Sequence, residues 1–330
     1  MEFPIMKKTI SLIVTFLIVL SIPTLSFADN TALRVVAMKG PTAMGMVQMM
    51  KEADAGLLKD AGYSFTIESD IQVVTPMIVK GEVDVAAVPA NVASILYNNP
   101  AVDIQVLAVN TLGVLYIVES GDTVQAVEDL RGKTIYASGK GATPEYSLNY
   151  ILLGNGIDPE KDVNIEWKSE HTECLNMLLS QENAIAMLPQ PFVTTAMMKA
   201  EGLRVALDLT AEWDTLQAGK ESPSALVTGA VIVQKDFAEA HHDTISAFMD
   251  AYKASVAFVN TNLEEAAELV GQYDIVPAAV AKKALPACNI VFLEGDELQS
   301  KLGGYLVELF SQNPQAVGGA VPSEDFYFQR

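Results

Sequence analysis

Four short segments of this chain combine glycine, proline, threonine or asparagine at a point where a predicted strand is followed by a predicted helix. Each follows a short apolar run, and each opens a stretch with helical periodicity. A helix start leaves main-chain N–H groups without partners and carries the positive end of the helix dipole. Several such starts facing one crevice would bind a small polar or anionic ligand without a reactive side chain. The segments are Lys39-Gly40-Pro41-Thr42-Ala43, Pro89-Ala90-Asn91, Ser138-Gly139-Lys140-Gly141-Ala142-Thr143-Pro144 and Leu188-Pro189-Gln190-Pro191.

Several side chains in these segments have alternative roles. Asn91 either caps its helix or shares its amide with the ligand, and Lys140 either meets an anionic ligand or faces water. Thr143 is the predicted cap of the third helix, with Pro144 at its first position. Gln190 offers both a donor and an acceptor. The predicted ligand-binding residues are Gly40, Pro41, Thr42, Ala43, Met44, Ala90, Asn91, Gly141, Ala142, Thr143 and Gln190.

The residue patterns of common enzymes and metal sites are missing or wrongly spaced. The segment 132–134 (Gly-Lys-Thr) suggests a phosphate loop, but Val127 stands where the first glycine of that motif is required. The sequence contains no GxSxG, HExxH or CxxC motif. Its three histidines, His171, His241 and His242, are too scattered to indicate a metal site. We therefore predict no catalytic residue, no metal and no cofactor.

The elements that must position these segments alternate as strand and helix from residue 33 onward. This order predicts mainly parallel sheets with helices on both faces. The polar segment 208–223 predicts an irregular connection, and the chain after residue 237 is mostly helical.

Two cycles of alternation predict two α/β lobes in a mature chain of about 300 residues. We assign 29–111 and 236–330 to lobe I, and 112–235 to lobe II. Asn110 and Thr111 lie where the chain should cross between lobes, as a hinge or as the floor of a cleft. Cys174 and Cys288 fall in different lobes, where a disulfide would restrict the hinge, so we favour two free thiols.

The first 28 residues predict an export signal. A basic start with Lys7 and Lys8 precedes an apolar core over 10–20, and Ser26-Phe27-Ala28 forms a small-x-small cleavage site. The alternative is an uncleaved anchor, although Pro23 and Ser26 interrupt the apolar run. Cleavage after Ala28, with no cysteine there for lipid attachment, predicts a periplasmic or secreted protein.

The chain is strongly acidic, which bears on its partners. The leader carries a net charge of +1 from Glu2, Lys7 and Lys8, so its removal changes the formal net charge from −20 to −21. This acidity argues against nucleic acid or an anionic membrane as a partner. Half of the residues are hydrophobic, so a large core is available and disorder is not expected.

The order of several motifs resembles the solute-binding component of ABC importers of the nitrate/sulfonate/taurine and pyrimidine-precursor group. The resemblance implies a type II periplasmic-binding fold, a ligand cleft between two lobes, and docking on permease and ATPase subunits; we expect a monomer. It spans essentially the whole mature chain. The motifs are KGPTAMG, GEVDVAAVPANVA, VEDLRGKTI with GKGATPE, AMLPQPF and VGGAVPSEDFYF.

Two departures from that group leave the ligand open. Gln190 stands where relatives often have Glu, and no arginine lies in the four segments. A small carboxylate, a sulfonate or a polar heterocycle all remain possible ligands. The alternative function is an enzyme or sensor domain on the same scaffold, similar to the pyrimidine-precursor synthases, whose cysteine-rich iron site this two-cysteine chain lacks.

Overall fold

A computed structural model describes residues 32–58, 62–221 and 223–330. The predicted signal peptide and its cleavage site lie outside these ranges. Within them, eleven strands form two sheets. In chain order the strands are β1 (Leu33–Met38), β2 (Tyr63–Glu68), β3 (Val85–Pro89), β4 (Ile104–Leu112), β5 (Leu115–Ser120), β6 (Thr134–Ser138), β7 (Asn164–Lys168), β8 (Ile185–Pro189), β9 (Leu203–Asp208), β10 (Val227–Gln234) and β11 (Ile290–Leu293).

Helices cover both sheets, and short 3-10 turns occur at 127–130, 285–287, 314–317 and 324–326. The helices are α1 (Pro41–Met44), α2 (Val47–Asp54), α3 (Ile71–Val79), α4 (Ala90–Tyr97), α5 (Thr143–Gly154), α6 (His171–Ser180), α7 (Phe192–Lys199), α8 (Leu209–Gln217), α9 (Lys235–Ala240), α10 (His242–Thr261), α11 (Leu263–Gln272), α12 (Ala278–Ala284) and α13 (Gly295–Gln312).

The predicted α/β class and two-sheet architecture are confirmed, but the sheets are mixed rather than mainly parallel. The first sheet has the order β11-β4-β10-β3-β1-β2, and the second has the order β7-β6-β8-β5-β9. Strands joined by a crossover helix, such as β1 and β3, pair in parallel. The strands that follow or precede a crossing between sheets run the other way: β10 is antiparallel to β3 and β4, and β5 is antiparallel to β8 and β9.

The predicted boundary at residue 235 does not match the sheets. Strand β10 (Val227–Gln234) was assigned to lobe II, but it lies in the first sheet between β3 and β4. Its residues Ala230 to Val233 are buried and pair with β3 along most of its length. The chain therefore returns to the first sheet before β10. A strand made of consecutive apolar residues is buried on both faces, which is the position of an interior strand of a sheet.

Strands β1 and β3 are short apolar runs whose side chains fill the core on both faces of the first sheet. Val35 contributes to the core cluster beneath α2 and α10, and Val36 to the cluster beneath α4 and α13. The salt bridge between Arg34 and Asp84 joins the start of β1 to the residue before β3, with N–O 2.6 Å. This packing fixes the carboxyl ends of both strands, where the predicted ligand segments begin.

The segment predicted to be irregular, 208–223, contains helix α8. Asp208 caps it by accepting a hydrogen bond from the N–H of Thr210 at 2.9 Å. Trp213 on this helix is completely buried, with its ring 4.2 Å from Tyr150 and 5.5 Å from Tyr305. Because Tyr305 belongs to α13, which packs on the first sheet, this aromatic cluster joins the two halves of the molecule.

Both cysteines, Cys174 and Cys288, are buried free thiols, as predicted. Burial raises the pKa of Cys288 to about 12, so its thiol stays protonated and unreactive. No helix in the described ranges is both long enough and apolar enough to cross a membrane.

Candidate ligand-binding site

A cavity of about 170 Å³ lies between the two sheets and is lined by residues from both. The first sheet and its loops contribute Met38, Lys39, Gly40, Pro41, Thr42, Pro89, Thr111 and Thr228. The second sheet and its loops contribute Val114, His171, Pro189, Gln190, Pro191 and Phe192. Two of the four predicted segments, those after β1 and β8, thus face each other across one space.

The wall after β1 is built around a residue that has to be glycine. Gly40 has φ 127° and ψ −154°, a conformation that residues with a Cβ rarely adopt, and Pro41 follows at the start of α1. The Thr42 hydroxyl donates to the carbonyl of Met38 at 2.8 Å, so only its lone pairs remain for a ligand.

The predicted binding roles of Ala43 and Met44 are not supported, because both are completely buried in the first-sheet core and neither lines the cavity. Helix α1 is also a single turn. Its dipole is correspondingly small, so the start of α1 attracts an anion less strongly than the start of a full-length helix would.

The floor of the cavity includes Thr111 of β4 and Thr228 of β10. Asn110 lies beneath it, completely buried. Its amide donates to the carbonyl of Thr42 at 3.4 Å, and its carbonyl accepts from the Thr111 hydroxyl at 3.3 Å. Asn110 therefore holds two cavity residues in place, while Thr111 faces the space itself.

The opposite wall is formed by Gln190, which is only 6 % exposed. Its main-chain N–H donates to the carbonyl of Val114 at 3.0 Å, and the bond to Pro191 is cis. Its side-chain Oε1 accepts from the N–H and hydroxyl of Thr194, at 3.3 and 2.9 Å. The carbonyl of this amide is thus engaged within the protein, and the NH2 group is the part that remains to donate into the cavity.

His171 also lines the cavity, a position that was not predicted from the sequence. It is the first residue of α6, and its Nδ1 shares a 2.5 Å hydrogen bond with Oγ of Ser138. Burial lowers the pKa of His171 to about 4, so the ring is neutral at physiological pH. The sequence did contain a signal for this position of His171. The end of β7 and the start of α6 form a further strand-to-helix junction, in addition to the four predicted segments.

The remaining two segments meet each other instead of lining the space. The Thr143 hydroxyl donates to Oδ1 of Asn91 at 3.2 Å, and the Asn91 amide donates to the carbonyl of Ala316 at 3.4 Å. Asn91, Thr143 and Ala90 are all buried, and none of the three lines the cavity. From the segment after β3, only Pro89 reaches it.

The predicted capping roles of Asn91 and Thr143 are wrong. The cap positions belong to Pro89 and Ala142, whose backbones are extended in the way a cap requires. Asn91 and Thr143 lie inside the first turns of α4 and α5. Their side chains bond to each other and do not cap these helices.

The third segment is also distant from the cavity at its glycine-rich end. Gly141 is exposed and donates its N–H to Glu145 at 2.5 Å, and Lys140 is exposed to solvent. Lys140 lies in a separate polar groove of about 630 Å³ on the surface of the second half, which Trp167 also lines. Gly141, Ala142 and Lys140 therefore do not face the cavity in this conformation.

The electrostatic character of the cavity is nearly neutral. Lys39 is its only cationic lining residue, and no carboxylate lines it among the described residues. The Lys39 ammonium lies 3.7 Å from the fully exposed carboxylate of Asp274. The part of the chain that the structure describes contains no group of His, Cys, Asp or Glu side chains that could hold a metal ion.

Two mixed sheets with a cavity between them define a periplasmic-binding-protein fold, and comparison with solved structures supports this. An ABC transporter protein from Parabacteroides distasonis is 22% identical, covers 91% of this chain and 99% of its own, and superposes with a TM-score of 0.76. The periplasmic aliphatic sulphonate-binding protein SsuA of Escherichia coli is 15% identical, with 89% and 95% covered and a TM-score of 0.71. The alkanesulfonate-binding protein SsuA of Xanthomonas axonopodis pv. citri, bound to MOPS, is 13% identical, with 88% and 94% covered and a TM-score of 0.65.

The family is established by sequence. A profile of the family described as "ABC transporter, phosphonate, periplasmic substrate-binding protein" matches residues 46–284, and the chain belongs to that family. No curated protein matches the chain at a significant level. The predicted resemblance to importer solute-binding proteins is confirmed, and membership places the chain in a family of periplasmic substrate-binding proteins.

Proposed function

We propose that this protein is the extracytoplasmic receptor of an ABC importer, which captures a small organic oxyanion in the cavity between the sheets and delivers it to the permease. The observation that carries the proposal is that both sheets supply the walls of one cavity, through the segments after β1 and β8. Phosphonates and sulfonates are the first candidates, given the family and the names of the related structures. The leader at 1–28 would export the chain, and we expect a monomer.

Uncharged donors would hold the ligand oxygens. The NH2 group of Gln190 is one such donor. Ser138 Oγ and Nδ1 of His171 share a hydrogen bond, and we propose the tautomer in which Nδ1 is the acceptor. In a neutral imidazole the proton then lies on Nε2, which becomes a second donor. Neutral donors in a partly dry cavity bind an oxyanion at less desolvation cost than a buried cation would.

Closure of the two halves would enclose the ligand. The chain passes between them directly from β4 to β5, through Gly113 and Val114, and again between α8 and β10. We propose lobes of 29–112 with 227–330, and 113–226, with Asn110 and Thr111 at the base of the first crossing. Because Thr111 also lines the cavity, movement at this strand would change the site directly.

Ligand binding is tested by isothermal titration calorimetry and thermal unfolding with ethylphosphonate, ethanesulfonate, acetate and uracil. A true ligand at a hundredfold excess over its Kd should stabilise the protein by about 2.7 kcal/mol. Failure of every phosphonate and sulfonate to bind would contradict the proposal.

The variant Gln190→Met removes both the donor to the cavity and the acceptor for Thr194 at similar volume, and we expect its affinity to fall by about tenfold. Gln72→Met is the control, because Gln72 is exposed on α3 and away from the cavity. Delivery is tested separately, by uptake into vesicles that contain a candidate permease and its ATPase.

An enzymatic role finds no support in the cavity. His171 is paired with Ser138, but that serine is buried and does not line the space. Among the described residues that line the cavity, no carboxylate orients the imidazole in the way that supports acid–base catalysis by a Ser–His pair. Recovery of the bound ligand unchanged after prolonged incubation is the expected result.

A further inference from the structure

The lining of the cavity differs in its content of hydrogen-bond donors and of charged acceptors. This difference affects which other chemical groups a ligand can carry besides its oxyanion. Lys39 on one wall and Gln190 and His171 on the other can donate hydrogen bonds, but a negatively charged acceptor is missing from the described lining. Much of the remaining surface is apolar, with Met38, Pro89, Val114 and Phe192 among its members.

The acceptors that do line the cavity carry no charge. The Thr42 hydroxyl has its proton engaged with the Met38 carbonyl, and the Thr228 hydroxyl donates to the Leu112 carbonyl at 2.5 Å. Their lone pairs could accept a hydrogen bond, but they cannot neutralise an ammonium group. The carboxylate of Asp274 lies at the edge, beside Lys39, and is fully exposed to water.

We infer that the cavity selects oxyanions whose remaining part is uncharged, and that it rejects analogues that carry an ammonium group. An alkylphosphonate or alkanesulfonate fits this description, whereas an aminoalkyl analogue would have to bury its cation against proline, valine and methionine side chains. Burying an ion without a charged partner is strongly unfavourable. This inference rests on the proposed function, since it concerns the ligand of the same cavity.

Two pairs of probes isolate the amine. Ethylphosphonate differs from 2-aminoethylphosphonate, and ethanesulfonate from taurine, only by the ammonium group. We expect calorimetry to show that at least one unsubstituted probe binds and that its aminated partner binds at least about tenfold more weakly.

Two substitutions should reverse that preference. Gln190→Glu keeps the acceptor for Thr194 and replaces the NH2 donor by a negatively charged oxygen. Because a buried carboxylate can destabilise the fold, Met38→Glu provides a second test at a half-buried position, with Met38→Gln as its uncharged control. In both Glu variants we expect weaker binding of the unsubstituted probe and tighter binding of its aminated partner, by about tenfold each. The Gln variant should keep the wild-type preference.

The outcomes separate this inference from the proposed function. Equal or tighter binding of the aminated probe by the wild-type protein overturns the inference and leaves the receptor role intact. Folded Glu variants that keep the wild-type preference also overturn it. Binding of none of the four probes contradicts both the inference and the oxyanion receptor.

Discussion

The strand-to-helix segments after β1 and β8 line the cavity, whereas those after β3 and β6 join the two halves by direct side-chain contact. Gly40 and Gln190 represent the first pair, and both face the same space. Asn91 and Thr143 represent the second pair, and they bind each other at 3.2 Å. Similar local sequences thus have two placements, at the wall of a cavity and at the contact between the two halves.

The two pairs of segments differ in the side chains that pack around them. Behind Thr143, helix α5 packs on α8 and α13, where Trp213 and Tyr305 fill the space between the halves. Next to Gln190, the flanking residues Pro189 and Pro191 line a cavity that none of the described side chains fills. A helix start is therefore available to a ligand only where the neighbouring side chains leave room for one.

The largest expected effect on stability comes from the aromatic cluster of Tyr150, Trp213 and Tyr305, which lies behind Asn91 and Thr143. Trp213→Ala should destabilise the protein by about 3–5 kcal/mol, because a completely buried aromatic side chain leaves a cavity. Urea unfolding followed by circular dichroism measures this loss. Trp167→Ala is the matched control at a half-buried position and should cost roughly 1–2 kcal/mol. Equal losses at the two sites would show that the cluster does not join the halves.

The two glycine-containing segments offer a direct comparison. Gly40 has φ 127° and Gly141 has φ 77°, and a Cβ would meet no atom within 4 Å at either position. Alanine should therefore cost about 1–3 kcal/mol at Gly40 and about 1–2 kcal/mol at Gly141, from backbone strain alone. Only Gly40→Ala should also weaken binding of ethylphosphonate or ethanesulfonate. A matching loss of affinity in Gly141→Ala would place the third segment at the ligand after all.

The hydrogen bond between Thr143 and Asn91 is tested by Thr143→Val, which removes a hydroxyl at nearly constant volume. The change leaves the buried carbonyl of Asn91 without its partner from Thr143 and should cost about 1–2 kcal/mol of unfolding free energy. Thr215→Val removes an exposed hydroxyl and should stay within about 0.5 kcal/mol of wild type. If Thr143→Val keeps its stability but loses ligand affinity, the original prediction of a binding role is correct.

The smallest expected effect is a pH dependence from His171. Its folded pKa of about 4 is below the value of about 6.5 in the unfolded chain, so the unfolded state binds more protons between these values. Stability is therefore full above about pH 6.5 and falls progressively as the pH drops towards 4. Unfolding of His171→Asn at pH 7 and pH 5 should lack this component, whereas His242→Asn, at an exposed position, should retain it. An unchanged difference in His171→Asn would contradict the assignment.

Much of the fold could be predicted because its signals are local. Apolar runs between glycine and proline marked strands such as β1, β3 and β8 within a residue or two. Helix α8 was missed because its nine residues carry few apolar side chains, and the burial of Trp213 depends on Tyr150 and Tyr305, far away in the chain. Strand β10 was placed in the wrong half because a continuous apolar strand fits either sheet equally well.

The site was predictable in kind but only partly in its residues. Gly40, Pro41, Thr42 and Gln190 were predicted and line the cavity, and Thr111 was predicted as hinge or floor and lies at the floor. His171 was not predicted as a ligand residue, because its neighbour Ser138 is 33 residues away.

The sequence by itself determined where strands end and helices begin, because glycine, proline and apolar periodicity act on the backbone within a few residues. It also determined the family, through motifs that keep their order along the chain. Only the tertiary structure decided which helix starts face a cavity and which face each other. That choice depends on contacts such as Asn91 with Thr143, 52 residues apart, and no local preference specifies how two sheets will meet.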